Sequence, residues 1–138
     1  MTVAVADTGV LYALVDQSDA WHARVVAWWR ERPRQVVVPV TVLPEVCHLL
    51  QTRIGPLAEH TFVRSVGEGE LPVEPVELED IERAAGLMRQ YADFPLGFVD
   101  ATVAAVAERL AATDILTNDR RRFGAIRPRH APGFTLHP

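Results

Sequence analysis

Four acidic residues follow apolar runs of the sequence at the same kind of position. Asp7 comes directly after the run VAVA, and Asp119 follows the run ILT by two residues. Glu45 and Asp100 each stand in the first turn of a predicted helix. If the runs form parallel strands, their carboxyl ends and the first turns of the following helices share one edge of the sheet. We therefore expect these four side chains to converge.

Converging carboxylates favour a hard cation. Two of them about 4 Å apart repel by roughly 4 kcal/mol at an effective dielectric constant of about 20. Such a cluster either takes up protons or holds a cation, and oxygen ligands suit Mg²⁺ or Mn²⁺. The chain offers no cluster of histidine and cysteine for zinc. The acids therefore predict a magnesium or manganese site.

Each acid, taken alone, also fits a structural role. Asp7 is typical of a strand-end turn, and Asp119 could cap the segment RRRFG. Glu45 and Asp100 could simply stabilise the positive end of a helix dipole. Asp93 is set aside, because the segment DFP is typical of a helix terminus. The functional interpretation rests on the four acids together.

The elements that must position these acids alternate between strands and helices. Ser18 or Asp19 is the predicted cap of the second helix, which Pro33 would end, and Thr41 is the predicted cap of the third. The predicted strands cover residues 3–6, 35–39, 71–78, 114–119 and 134–136. The predicted helices cover residues 10–15, 20–32, 42–55, 57–66, 78–92 and 98–110. This order indicates one α/β domain over residues 1–138, an open and mostly parallel sheet of four or five strands with helices on both faces.

Residues 98–110 carry the clearest helical pattern. Val99, Val103, Val106 and Leu110 lie at i, i+4, i+7 and i+11, which is the spacing of an amphipathic helix packed on a core. Asp100 is one residue away from this stripe. The pattern predicts that the helix packs through its valines while its first turn presents Asp100 to the edge of the sheet.

Composition narrows the class of protein. The 138 residues include a single cysteine, Cys47, so the chain has no internal disulfide, and a reducing cytoplasm is expected. There is no signal-peptide pattern and no apolar run long enough to cross a membrane. The net charge of −4 argues against binding nucleic acid by bulk attraction. All 14 basic residues are arginine, however, and Arg120, Arg121 and Arg122 directly follow Asp119.

Three segments resemble the PIN-domain nucleases, especially the VapC toxins of bacterial toxin–antitoxin pairs. They are VADTGVLYALVD, VTVLPEVCHLL and DFPLGFVDATVAAVAERLAATDILTNDRRRF. The resemblance runs over nearly the whole chain and preserves the order Asp, Glu, Asp, Asp. It assigns the acids of the active site to Asp7, Glu45, Asp100 and Asp119. Thr8 and Thr117 match the hydroxyl positions of the family, and Asn118 is an additional polar contact.

The resemblance implies hydrolysis of RNA with Mg²⁺ or Mn²⁺. Asp7, Asp100 and Asp119 would hold the metal, with Glu45 bound to it directly or through water. Water activated by the metal would attack in line, leaving a 5′-phosphate and a 3′-hydroxyl. Glu45 and Asp100 are both left open as the base. Arg120, Arg121 and Arg122 would hold RNA phosphates, with Arg127 and Arg129 extending the patch.

The same resemblance implies two protein partners, a cognate VapB-like antitoxin and a second copy of the chain. One of the adjacent Trp28 and Trp29 is expected in the core and the other at an interface. His22 and His48 are interpreted as packing or surface residues rather than ligands.

Four alternatives remain beside this interpretation. A housekeeping PIN nuclease and a non-catalytic PIN-like binding module share the fold. The run Asp7-Thr8-Gly9 is also typical of aspartic proteases, although those folds are all-β. Phosphotransfer domains place an aspartate after the first strand too, but they usually need a lysine, and this chain has none.

Overall fold

The computed structural model describes residues 3–32 and 35–138, which form an α/β domain with a five-stranded sheet. The strands are β1 Val3–Ala6, β2 Gln35–Pro39, β3 Val73–Glu74, β4 Asp114–Leu116 and β5 Thr135–His137. The helices are α1 Thr8–Val15, α2 His22–Glu31, α3 Val42–Arg53, α4 Pro56–Gly67, α5 Leu78–Gln90, α6 Phe98–Arg109 and α7 Arg120–Ala125. The predicted fold class is confirmed.

The sheet has the order β3-β2-β1-β4-β5, and every pair of neighbours is parallel. The chain leaves β1 in one direction to form β2 and β3, and then returns to place β4 on the other side of β1. The order of strands therefore reverses between β1 and β4. In open parallel sheets, this reversal point is where binding crevices form, beyond the carboxyl ends of the strands.

The helices form two groups that pack separately. Helices α1, α2, α3 and α4 contact one another, and α5 packs along α6. Right-handed crossovers put such groups on opposite faces of a parallel sheet, because the chain returns across the sheet in the opposite direction. The strands between them are apolar and buried, as expected when both faces are covered.

Helix α6 differs from the amphipathic helix that its pattern predicted. Every residue from Ala101 to Ala107 is buried, so the helix is enclosed on nearly all sides. Alanines allow neighbouring elements to approach closely, and this explains why a helix with few large side chains can be central. Val99 and Leu110, the ends of the predicted stripe, are only half-buried.

Two of the predicted helix caps are wrong. Helix α2 begins at His22, and Asp19 instead accepts a hydrogen bond from the main-chain N–H of Trp21 at 2.8 Å, in the turn before the helix. Thr41 stands at the N-cap of α3 but makes no capping bond, because its hydroxyl lies 2.7 Å from the hydroxyl of Thr102. Ser18 bonds to Asp16. Pro33 lies outside the described residues.

The strand predictions were accurate in position and less so in length. Residues 71–78 yield only the two residues of β3, since prolines on both sides limit its hydrogen bonding. β4 ends at Leu116, which leaves Thr117, Asn118 and Asp119 in a turn. Within the described residues, no helix is long and apolar enough to span a membrane.

Candidate active site

The two aspartates that follow strands lie at the reversal point of the sheet. Asp7 directly follows β1, and its main-chain N–H donates to the carbonyl of Leu116, the last residue of β4, at 2.9 Å. Asp119 is the third residue after β4. Glu45 lies in the first turn of α3, and Asp100 lies in the first turn of α6.

Two threonine hydroxyls link the segments that carry the acids. The hydroxyl of Thr117 donates to Oδ2 of Asp7 at 3.0 Å and accepts from the main-chain N–H of Asp119 at 2.8 Å. The hydroxyl of Thr8 donates to Oε1 of Glu45 at 2.8 Å. Thr117 is fully buried, and Thr8 nearly so. The turns after β1 and β4 and the start of α3 are therefore held together by side-chain hydrogen bonds.

Asp7 is the most perturbed acid of the site. Its side chain is only 5% exposed. Burial and the nearby charge of Asp100 raise its pKa from 3.8 to about 7, with a smaller contribution from Asp119. Hydrogen bonds from the main chain of Thr8 and from Thr117 oppose this rise and do not offset it. Asp7 therefore keeps its proton to a much higher pH than an exposed aspartate does.

Asp100 shares the same electrostatic environment. Its pKa is raised, first by burial and then by the charges of Asp119 and Glu45, while Arg122 acts in the opposite direction. Asp100 is thus affected by both of these acids, and it also affects Asp7. The four predicted acids are therefore connected by their effects on one another's pKa values. We call them the edge carboxylates: Asp7, Glu45, Asp100 and Asp119.

Arg122 is the cation closest to the edge carboxylates. Its Nη1 donates to Oδ2 of Asp119 at 2.9 Å, and its Nε lies 3.8 Å from Oδ2 of Asp100. These acids raise the pKa of the Arg122 guanidinium, so it remains charged. The other oxygen of Asp119 accepts the main-chain N–H of Arg122 at 3.0 Å, which is the capping role expected for Asp119 alone.

The chemical types of the edge carboxylates fit a hard divalent cation, but their present arrangement does not enclose one. Among the described residues, no three acidic, histidine or cysteine side chains are close enough together to hold a metal ion. The guanidinium of Arg122 bonds to Asp119 and lies near Asp100, so it partly neutralises these two acids, as a metal ion would. Asp7, Asp100 and Asp119 stay the predicted ligands of the ion.

Gly9 and Asn118 show close packing beside the acids. A Cβ atom placed on Gly9 would lie 2.3 Å from Oδ1 of Asn118, which is far inside van der Waals contact. The glycine of the DTG run is therefore needed for the approach of the Asn118 side chain, and not for a turn, because Gly9 lies inside α1.

The three consecutive arginines have different partners. Arg120 lies over the ring of Trp21, with its guanidinium carbon 5.9 Å from the ring centroid, and Arg121 lies over Phe94 at 5.2 Å. Arg122 binds the edge carboxylates. Sequence reasoning did not identify Trp21, Phe94 or the adjacent Pro95. The only signal for Phe94 and Pro95 was the irregular segment DFPLG directly before α6.

Several other residues lie away from the site. The main-chain N–H of Arg129 donates to Glu108, at the opposite end of α6 from Asp100, so Arg129 does not extend the arginine run. Arg127 bonds to the carbonyl of Pro132. Asp93 and His48 are exposed, and Nδ1 of His22 contacts the carbonyl of Ala13, as expected for a packing residue.

The fold and the site together define a class, the parallel α/β domains that gather carboxylates at the point where strand order reverses. Within that class, a family model described as PIN domain matches residues 4–127. The chain belongs to the PIN domain family. This fold excludes the aspartic-protease interpretation, because Asp7-Thr8-Gly9 links a parallel strand to a helix.

Similar proteins include several toxins. Ribonuclease VapC26 of Mycobacterium tuberculosis is 33% identical over 134 residues, covering 97% of this chain and 99% of the relative. The crystal structure of VapC20 from the same organism, a toxin that cleaves the sarcin–ricin loop, matches with a TM-score of 0.75 and 27% identity. That match covers 80% of this chain and 85% of VapC20. DNA-bound VapBC of Salmonella typhimurium has the same fold, with a TM-score of 0.72, 16% identity, and coverage of 99% and 98%.

Proposed function

We propose that this chain is a metal-dependent endoribonuclease and the toxin of a toxin–antitoxin pair. The observation that carries the proposal is the buried Asp7, whose pKa is raised to about 7 beside Asp100 and Asp119. A buried acid with too few positive partners is costly unless a cation joins it. Membership of the PIN family and the similarity to a named ribonuclease support the same reaction.

Each residue of the site has a specific role in this proposal. Asp7, Asp100 and Asp119 hold Mg²⁺ or Mn²⁺, and Thr117 orients Asp7 through its hydrogen bond. The ion supplies Lewis acidity that activates water and offsets charge on the phosphate. Glu45 is exposed and held by Thr8, so it can bind the ion through water or accept a proton from the attacking water. Asp100 is the other candidate for this base.

The test is cleavage of RNA by the purified chain with Mg²⁺ or Mn²⁺, with EDTA, and with Asp7→Asn or Asp100→Asn. Changing residues that only support metal ligands typically lowers activity about 10- to 100-fold, so removing a ligand should cost more than that. The products should carry 5′-phosphate and 3′-hydroxyl ends. Cleavage that survives both chelation and substitution would exclude the mechanism.

An apolar surface groove supports a protein partner. It has a volume of about 400 Å³ and is lined by residues of α1, α3 and α4: Val15, Ile54, Leu57, Ala58, Thr61, Phe62 and Ser65. Leu57 is 76% exposed, which is unusual for a large apolar side chain beside other apolar groups. We propose that a cognate VapB-like antitoxin covers this groove with an amphipathic helix. Leu57→Asp should then prevent co-purification with the antitoxin while RNA cleavage continues.

We further propose that the chain acts as a homodimer in the cytoplasm. Trp28 and Trp29 both pack against the core yet remain half-buried, so the expectation that one of them lies in the core is wrong. Each leaves ring surface that another chain can contact. Light scattering on the purified chain tests the dimer. Growth arrest on expression of the chain, relieved by the antitoxin, distinguishes a toxin from a housekeeping nuclease.

A further inference from the structure

Two pairs of an aromatic ring and an arginine stand beside the edge carboxylates. Trp21 lies in the turn before α2, and Phe94 lies in the segment before α6. Arg120 and Arg121, the first two residues of α7, cover these two rings. Consecutive helical residues point about 100° apart, so the two pairs face different directions from the turn that holds Asp119.

A cleft opens between Phe94 and the acids. It has a volume of about 130 Å³ and is lined by Phe94, Pro95, Asp119, Arg121 and Arg122. Its lining therefore combines an aromatic ring and the proline that follows it with two guanidinium groups and the carboxylate of Asp119. Nε of Arg122 donates to the carbonyl of Pro95 at 3.2 Å, which fixes these two residues relative to each other.

Trp21 has a similar but more open environment. Arg24 lies over its ring at 4.5 Å and Arg120 at 5.9 Å, and the residue is half-buried. The longer of the two distances leaves Arg120 only loosely associated with the indole. Arginine and aromatic faces are the groups on which proteins stack unpaired nucleobases, and arginine also pairs with phosphate.

We propose that Phe94 and Trp21 are stacking platforms for unpaired bases on the two sides of the cleaved phosphate. This inference rests on the proposed ribonuclease function and adds the two positions at which unpaired bases of the substrate are held. The base beside Asp119 enters the cleft against Phe94 with Arg121, and a base on the other side lies against Trp21 with Arg120. A paired duplex cannot present its base faces in this way, so single-stranded segments are preferred.

The test uses Asp7→Asn protein, so that RNA stays uncleaved, and a short single-stranded RNA with one 2-aminopurine. Affinity is measured by fluorescence anisotropy, and stacking by quenching of the 2-aminopurine as it is moved along the strand. Phe94→Leu keeps an apolar side chain and removes the aromatic face, while Phe94→Tyr keeps the face. We expect Phe94→Leu to weaken binding roughly tenfold and to abolish quenching at one position, and Phe94→Tyr to preserve both.

A matched control comes from an aromatic residue at the opposite edge of the sheet. Phe134 is also half-buried and lies directly before β5, and Phe134→Leu should leave affinity and quenching unchanged. For Trp21→Leu the matched variant is Trp21→Phe, which keeps an aromatic face and should preserve both affinity and quenching. Thermal unfolding of every variant shows whether it remains folded.

The outcomes separate this inference from the proposed function. RNA binding and quenching that are unchanged in Phe94→Leu would overturn the stacking subsite, even if the chain cleaves RNA. A Phe94 change that weakens antitoxin binding and spares RNA binding would assign the cleft to the protein partner and overturn it as well. If the unmodified chain neither binds nor cleaves RNA, the ribonuclease function itself fails.

Discussion

Two groups of acids in this molecule differ in how fully arginine side chains neutralise them. In the first, Asp80 accepts from Nε of Arg109 at 3.1 Å, and Glu108 accepts from two guanidinium nitrogens of Arg83 at 2.7 and 3.2 Å. We call these contacts the α5–α6 ion pairs. The second group is the edge carboxylates, where Arg122 bonds to Asp119 and approaches Asp100.

The difference is visible in the pKa values. Burial alone would raise the pKa of Glu108, but its bonds with Arg83 and the main chain of Arg129 hold it below the ordinary value. For Asp7, burial and Asp100 raise the pKa to about 7. Unequal neutralisation of acids that burial affects separates a structural ion pair from a site prepared for an additional cation.

The largest expected effect is an opposite change in stability when one acid of each group is made neutral. Asp7→Asn removes the cost of ionising a buried acid, so it should raise the free energy of unfolding at pH 8 in EDTA, by up to about 4 kcal/mol. Asp80→Asn removes the closer carboxylate partner of Arg109 and leaves only Glu74 at 3.4 Å, so it should lower the free energy of unfolding by about 1–3 kcal/mol. Urea denaturation measures both, and a loss of stability in Asp7→Asn would contradict the comparison.

The second prediction concerns pH. The pKa of Asp7 is raised in the folded state above its value of 3.8, so the folded state binds more protons than the unfolded state between about pH 4 and 7. The contribution of Asp7 to stability is therefore present at low pH and is lost as the pH rises through about 7. The difference in unfolding free energy between the unmodified chain and Asp7→Asn should grow over this window and be small near pH 4.

Addition of Mn²⁺ gives the converse pH dependence. Because the ion binds ionised carboxylates, its affinity for the folded protein should rise with pH through about 7. Mn²⁺ should therefore stabilise the unmodified chain against unfolding but not Asp7→Asn. Thermal unfolding with and without Mn²⁺ at pH 6 and pH 8 measures this. Equal stabilisation of Asp7→Asn would show that the ion binds elsewhere.

Sequence reasoning predicted the acids well, because their positions depend on where strands end. A buried apolar run followed by an acid places that acid at the sheet edge whatever the details of packing, and this holds for Asp7 and Asp119. The burial of α6 was not predictable from its valine stripe, because alanine is neutral in such patterns and its burial depends on what packs against it. Arg122 was expected to hold RNA phosphates. Its hydrogen bond to Asp119 depends on how α7 is folded, which the sequence pattern does not show.

The fourth prediction concerns Arg122, whose guanidinium competes with a cation for Asp119 and Asp100. Arg122→Ala should bind Mn²⁺ about tenfold more tightly in calorimetry, since the oxygens of Asp119 become available and a positive charge is removed. Arg121→Ala is the matched control, because it removes the same charge from the same helix without breaking those contacts. Equal gains in the two variants would attribute the effect to overall charge.

The smallest expected effect concerns Gly9, on the α1 side of the edge carboxylates. Gly9→Ala places a methyl group where the Asn118 side chain lies, and that side chain can rotate away. Alanine also favours the helix by about 1 kcal/mol over glycine, so the net change in unfolding free energy should be under about 1 kcal/mol. Cleavage should fall as much as it does in Asn118→Ala, because both changes remove the same group from the site.

A double-mutant cycle tests this explanation. If the only consequence of the new methyl group is displacement of Asn118, then adding Gly9→Ala to Asn118→Ala should cause no further loss of cleavage. The double variant should also be more stable than Asn118→Ala, because the helix gains its alanine without a clash. Additive losses of cleavage would mean that Gly9 affects the edge carboxylates directly, through the main chain that joins it to Asp7.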